Sequence, residues 1–189
     1  PYFTLSFAET EDRLPVESSS KGLGASSTVH DRFQKWVKDG VFQKMWKAGL
    51  LKCEELKKLD WEWQAMDGVM TKAPLGGKKV GRNPTDRGKS GTKRSLLTEG
   101  NGIPLAVAID GANRHDKTLV ASTLGDMVIE RPEVTESEPQ NNAWIKDYPD
   151  IRDLVAEYGY TAHIKARGEE VIAKQEIPGY RARRWVVER

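Results

Sequence analysis

What this chain has little of narrows it first. Only one cysteine, Cys53, is present, so no internal disulfide can form and a reducing compartment fits. Cys53 sits in a helical pattern with no histidine beside it and reads as structural. Three histidines, His30, His115 and His163, are scattered without the spacing of zinc ligands. No apolar run approaches the ~20 residues needed to span a bilayer. The opening Pro1-Tyr2-Phe3-Thr4 lacks the basic and apolar regions of a secretory signal. A large charge of one sign is also missing, because 30 basic and 28 acidic residues leave a net charge of +2 over 189 residues. The expectation is a soluble protein with one ordinary domain and a small appendage.

Charge is instead concentrated in one place. Between Lys72 and Arg94 stand Lys72, Lys78, Lys79, Arg82, Arg87, Lys89, Lys93 and Arg94, against the single acid Asp86, for a local charge of +7. Five glycines in the same stretch (Gly76, Gly77, Gly81, Gly88, Gly91) let the backbone follow a polyanion closely. A solvated basic loop with no partner has the same composition. The chemistry on either side favours the polyanion.

Residues 1–24 show no sustained period and read as an irregular arm. Residues 25–58 read as a helical segment. Ser27 or Thr28 can cap a helix with Val29, Phe33, Trp36 and Val37 on one face. Asp39-Gly40 breaks it, and Val41, Phe42, Met45, Trp46 and Leu50 carry a second helix, running on toward Leu59. The pair is either helix-turn-helix-like or simply packed on the main domain.

The main domain is expected over residues 59–189. Trp61, Trp63 and Ala65 alternate with Glu62, Gln64 and Met66 as in a strand, which places Asp67 at its end. Further strands are expected around Ser95–Thr98, over Ile103–Ile109 after the Gly100-Asn101-Gly102 turn, over Asn142–Ile145 and over Thr161–Ala166. Helices are expected over Asp116–Met127 and Tyr148–Tyr158, and one beginning at Arg181. Arg131–Gln140 reads as a surface linker. Hairpin strands followed by alternating strands and helices predict an α/β protein with a mixed sheet flanked by helices.

Cleaving a phosphodiester needs a nucleophilic oxygen and neutralisation of growing negative charge, which two Mg²⁺ ions held by carboxylates supply. Asp67 is the first candidate ligand. Asp110 also ends a strand, although Asp110-Gly111 suits a turn equally well. Glu188 follows Arg184 by four residues, so the two share a helical face, as a surface ion pair would.

The wording of several blocks goes further. Trp61-Glu62-Trp63-Gln64-Ala65-Met66-Asp67-Gly68, Lys72-Ala73-Pro74, Gly76-Gly77-Lys78-Lys79, Asn83-Pro84-Thr85-Asp86-Arg87-Gly88-Lys89 and Asp110-Gly111-Ala112-Asn113-Arg114-His115-Asp116 closely resemble insertion-sequence transposases. Within the DDE class they resemble the group named after insertion sequence five. Tyr180 to Arg189 is similar to the block around that family's third acid. The resemblance runs from about Gly24 to Arg189. It implies an RNase H-like catalytic domain over residues 59–189, metal-dependent cleavage and transfer of DNA strands, Mg²⁺ or Mn²⁺ as cofactor, and transposon-end and target DNA as partners. It also implies a possible homodimer working in a prokaryotic cytoplasm at the nucleoid. Asp67 is then the first catalytic and metal-binding acid and Glu188 the third. The family's Asp-Lys-Gly-Tyr-Asp block is shortened here to Lys146-Asp147-Tyr148-Pro149-Asp150, which leaves Asp147 as the nearest second acid. Residues 1–23 do not match the family's lead-in, and the family helix continues beyond Glu188. The sequence therefore reads as a truncated or decayed copy, the alternative being a catalytically inactive DNA-binding remnant.

Overall fold

The computed structural model describes residues 25–144, 149–164, 172, 175 and 176. The irregular arm, Asp147, Glu188 and the helix expected from Arg181 lie outside the described residues.

Two helices open the described chain. Helix α1 (Ser26–Lys38) starts after Ala25, which occupies the N-cap without a side-chain bond, in place of the expected Ser27 or Thr28. Gly40, at φ 66°, makes the left-handed turn into α2 (Val41–Glu55), a conformation glycine adopts without strain. Phe42 meets Phe33 at 5.3 Å and Trp36 at 6.3 Å between ring centroids, which closes the pair. Helix α2 ends at Glu55, short of Leu59. It is tied to the sheet: Leu50 joins the main core, and Trp46 Nε1 donates to Pro104 O at 3.0 Å.

Among the described residues the sheet holds six strands. β1 (Trp63–Lys72) is central, antiparallel to β3 (Ser90–Glu99) on one side and parallel to β5 (Asn141–Trp144) on the other. β4 (Pro104–Gly111) pairs antiparallel with β3, and the two-residue β2 (Gly81–Arg82) pairs with the start of β3. β6 (Thr161–Ile164) runs parallel to β5. Helix α3 (Asp116–Gly125) follows β4, and α4 (Pro149–Glu157) links β5 to β6. The chain is thus a mixed α/β fold with a mixed sheet flanked by helices.

Strand alternation sorts the residues of β1. Gln64 and Met66 point into the core, where Leu97, Ala106, Val120, Leu124, Ile151 and Val155 meet from β3, β4, α3 and α4. Each fully buried large side chain there is worth about 1.5–3 kcal/mol relative to exposure. Gln64 is satisfied within this core, receiving the Tyr160 hydroxyl at 2.7 Å and donating to Gln140 at 3.2 Å. Trp63, Ala65, Asp67, Val69 and Thr71 take the opposite face.

The β3–β4 turn is closed by a carboxylate with no access to solvent. Glu99 accepts from the backbone N–H groups of Asp60, Asn101 and Ile103 at 2.7–2.9 Å and from Asn101 Nδ2 at 3.1 Å. These four donors replace its lost water and tie the lead-in to β1 onto the hairpin.

Candidate nucleic-acid interface and acidic site

Asp67 lies in the middle of β1, not at its end. The strand continues to Lys72 because β3 pairs with it throughout, Asp67 facing Leu96 and Lys72 facing Gly91. On its other side β5 pairs only as far as Met66 with Trp144, so the described end of β5 lies level with Asp67. The Asp67 side chain is half-buried, and its Oδ1 accepts from Gly68 N at 2.6 Å.

The remaining acids of the motif blocks are engaged elsewhere. Asp110 Oδ2 lies 3.6 Å from Arg114 Nε, and its Oδ1 accepts from Gly111 N at 2.7 Å. Asp116, at the first turn of α3, holds Lys93 Nζ at 2.8 Å. Asp86 lies 3.8 Å from Lys72. Asp67 offers the hard oxygen that Mg²⁺ prefers. Among the described residues no three His, Cys, Asp or Glu side chains are grouped to hold an ion.

The basic stretch separates into three environments. Lys72, Lys78, Arg82, Arg87 and Lys89 are exposed along the β1–β2–β3 connections, with Lys79 half-buried behind them. Lys93 is turned inward, with only 8% of its surface exposed, and donates to Asp116 Oδ1 and Arg114 O, both at 2.8 Å. Arg94, one residue on, is exposed on the opposite face. Its register places it opposite Val69 and diagonal to Asp67, roughly 7 Å away. The register therefore brings Arg94 onto the face of the first candidate acid, with Arg82, opposite Ser90, farther along the same face.

The loop itself is more ordered than its glycine content suggests. Asn83 Oδ1 accepts from Thr85 N at 2.9 Å and from Thr85 Oγ1 at 2.8 Å, while Asn83 N donates to Lys89 O at 2.8 Å. Arg87 takes a positive φ of 51° at the tip, so Arg87 and Lys89 are displayed on a closed turn. Gly91 is required for packing: a Cβ there would stand 2.9 Å from the backbone oxygen of Thr71.

The same face carries a feature that the sequence left scattered. Trp63 and His163 are a hundred residues apart in the chain, yet β1, β5 and β6 bring their rings to 4.7 Å between centroids. His163 Nε2 lies 2.7 Å from Asn141 Oδ1, and Trp63 Nε1 donates to Glu62 at 3.1 Å. Only the alternation of β1 hints at it, by putting Trp63 and Asp67 on one side. A separate cleft of about 340 Å³ between β4 and α3, lined by Lys79, Asp110, Thr118 and Ser122, does not include Asp67.

These features define a mixed-sheet α/β protein with an acid on its central strand and a cationic rim. No family model matches the chain. It is similar to a protein of Burkholderia cepacia named "Putative transposase for insertion sequence element IS402", with 34% identity over 122 aligned residues. The match covers 59% of this chain and 52% of the relative, so the chain spans about half the length of the curated relative it matches. No helix among the described residues is long and apolar enough to cross a membrane.

Proposed function

We propose that this chain is a catalytic region of a DNA transposase of the DDE class, acting in the cleavage and transfer of strands that moves an insertion sequence. The similarity to an insertion-sequence transposase carries the reading. The central position of Asp67, with a cationic rim beside it, supports it. The mixed sheet flanked by helices is compatible with an RNase H-like domain over residues 59–189.

In this reading Asp67, Asp147 and Glu188 hold Mg²⁺, with Mn²⁺ as a substitute, and the ion when bound polarises the phosphodiester toward attack. Asp67 is held for that role by its pairing with Leu96 of β3 and by the Gly68 amide. Lys72, Lys78, Lys79, Arg82, Arg87, Lys89 and Arg94 meet the phosphates of transposon-end and target DNA, contacts that position the duplex without reading its sequence. Lys93 supports this surface from beneath. A homodimer would bring two ends together, at the nucleoid of a prokaryote.

Nicking of supercoiled DNA in Mg²⁺ or Mn²⁺, compared between the chain and Asp67→Asn, tests the reading. Nicking that disappears in the variant supports it. Equal nicking by both proteins removes Asp67 from the site. DNA binding without metal-dependent nicking leaves a DNA-binding remnant.

A further inference from the structure

We propose that Arg87 is a groove-reading residue: the closed turn at the tip of the basic loop presents its guanidinium to the minor groove of duplex DNA, with a preference for A·T pairs. This rests on the reading of the chain as a DNA-handling protein, and it gives one of the loop's cations a role beyond phosphate neutralisation.

Lys89 N donates to Asp86 O at 3.0 Å, which closes a turn with Arg87 and Gly88 at its centre. Both are left-handed, at φ 51° and 72°, the pattern of a type I′ turn. Asn, Asp or Gly is the favoured first residue there, because a bulkier side chain is strained at positive φ. One other non-glycine residue among those described shares this conformation, Lys57 at φ 50°. It has a local reason: Lys57 N donates to Glu54 O and Lys58 N to Cys53 O, the left-handed ending common to helices. Arg87 lies at no helix end. A strained residue persists only where its surroundings impose it, and such residues cluster where function needs them.

The surroundings here are firm. Asn83 is buried, its N–H donates to Lys89 O at 2.8 Å, its carbonyl accepts from Gly88 N at 3.0 Å, and its side chain accepts twice from Thr85. Asp86, the only acid of the stretch, lies 3.8 Å from Lys72. Arg87 itself is exposed. A preformed turn has little freedom left to lose when its tip is gripped.

Its flanks fit one groove better than the other. Arg82 lies on one arm of the hairpin and Lys89 on the other, both exposed, with Arg87 between them at the tip. The minor groove, about 6 Å wide, has a phosphate backbone on each side. Arms about 5 Å apart, backbone to backbone, are too broad to enter it, whereas one extended side chain fits. The major groove admits a two-stranded ribbon, but this ribbon is short and sets only Gly81, Ser90 and Gly91 beside Arg82, too bare to read bases. Narrow A·T minor grooves concentrate negative potential and draw in arginine.

Anisotropy titrations of the whole chain without metal test this, on three duplexes of equal length and charge whose central run is A·T, I·C or G·C. Inosine lacks the guanine N2 amino group, so an I·C run has the minor groove of A·T and the major groove of G·C. The unaltered chain should bind the A·T and I·C duplexes about tenfold more tightly than the G·C duplex. Arg87→Asn suits the turn, so its melting temperature should equal or exceed the parent's, while its affinities for the three duplexes come within about twofold of one another. Lys89→Ala, which removes a neighbouring charge, should keep the preference. The inference is overturned by equal binding of the three duplexes by the unaltered chain, by I·C behaving like G·C, or by a preference that survives in Arg87→Asn or disappears in Lys89→Ala. A lowered melting temperature in Arg87→Asn would make Arg87 a structural part of its own turn and also overturn it. In those cases salt-dependent duplex binding by the unaltered chain still supports the DNA reading. Failure of the unaltered chain to bind any duplex overturns both.

Discussion

Lys93 Nζ lies 2.8 Å from Asp116 Oδ1, with the two side chains only 11% and 14% exposed, so a cation from the most basic stretch of the chain is spent inside the fold. The same ammonium also holds Arg114 O at 2.8 Å, which fixes the β4–α3 turn against β3. Lys93 and its neighbours should accordingly behave as different kinds of residue.

Lys93→Ala takes the ammonium away from Asp116 in a site that water barely reaches. The expected loss is about 3 kcal/mol of stability, with no selective effect on the salt dependence of DNA binding. Denaturant unfolding monitored by tryptophan fluorescence measures the first, and a salt titration of DNA affinity the second. A stable Lys93→Ala protein with a reduced salt slope would return Lys93 to the phosphate contacts.

Replacing Lys78, Lys79 and Arg82 together with alanine should do the reverse. Each phosphate contact removed lowers the slope of log affinity against log salt by roughly 0.9. The triple variant should therefore lose both affinity and about 2 to 3 units of slope while its melting temperature stays close to that of the parent. An unchanged slope would show that these cations face solvent alone.

Asp67→Asn is nearly isosteric and keeps an oxygen for the Gly68 amide. The fold should survive, while Mn²⁺ affinity measured by calorimetry falls, because a neutral amide is a poorer ligand for a hard cation. Equal metal affinity in the two proteins would place the ion elsewhere. A large drop in metal-free stability would assign Asp67 a structural role.

Tyr160 supplies a pH signature of the core. Burial raises its phenol above the ordinary value of 10.0, outweighing the opposing influence of Arg131, whose guanidinium lies 4.1 Å from the ring centroid, and the bond to Gln64. In the unfolded chain the phenol ionises near 10, whereas in the fold it stays protonated to higher pH. The stability this contributes is present below pH 10 and is lost as pH rises through the folded value. Thermal stability should fall more steeply above pH 10 in the parent than in Tyr160→Phe, as melting curves across alkaline buffers would show. Parallel curves would mean that Tyr160 titrates as it does in the unfolded chain.

Local sequence determined much of the architecture. The alternation from Trp61, the apolar run from Ile103, the Gly100-Asn101-Gly102 turn and the helix-spaced apolar residues after Asp116 and Tyr148 each encode an element through neighbours a few residues away, and those elements are present. Ends were less legible. Past Asp67 the segment Gly68 to Lys72 opens on a glycine and leads into the basic loop, and it is strand because β3 bonds to it along its whole length. Charge could be counted but not aimed. Lys93 and Arg94 are adjacent cations of equal standing in the sequence, and alternation dictates only that they point to opposite faces. Which face α3 covers, and which carries Asp67, Trp63 and His163, follows from strand pairing across tens of residues. Tertiary structure alone therefore made Lys93 a buried partner of Asp116 and left Arg94 beside Asp67, because local patterning sets a side chain's alternation while long-range packing decides what lies on each side.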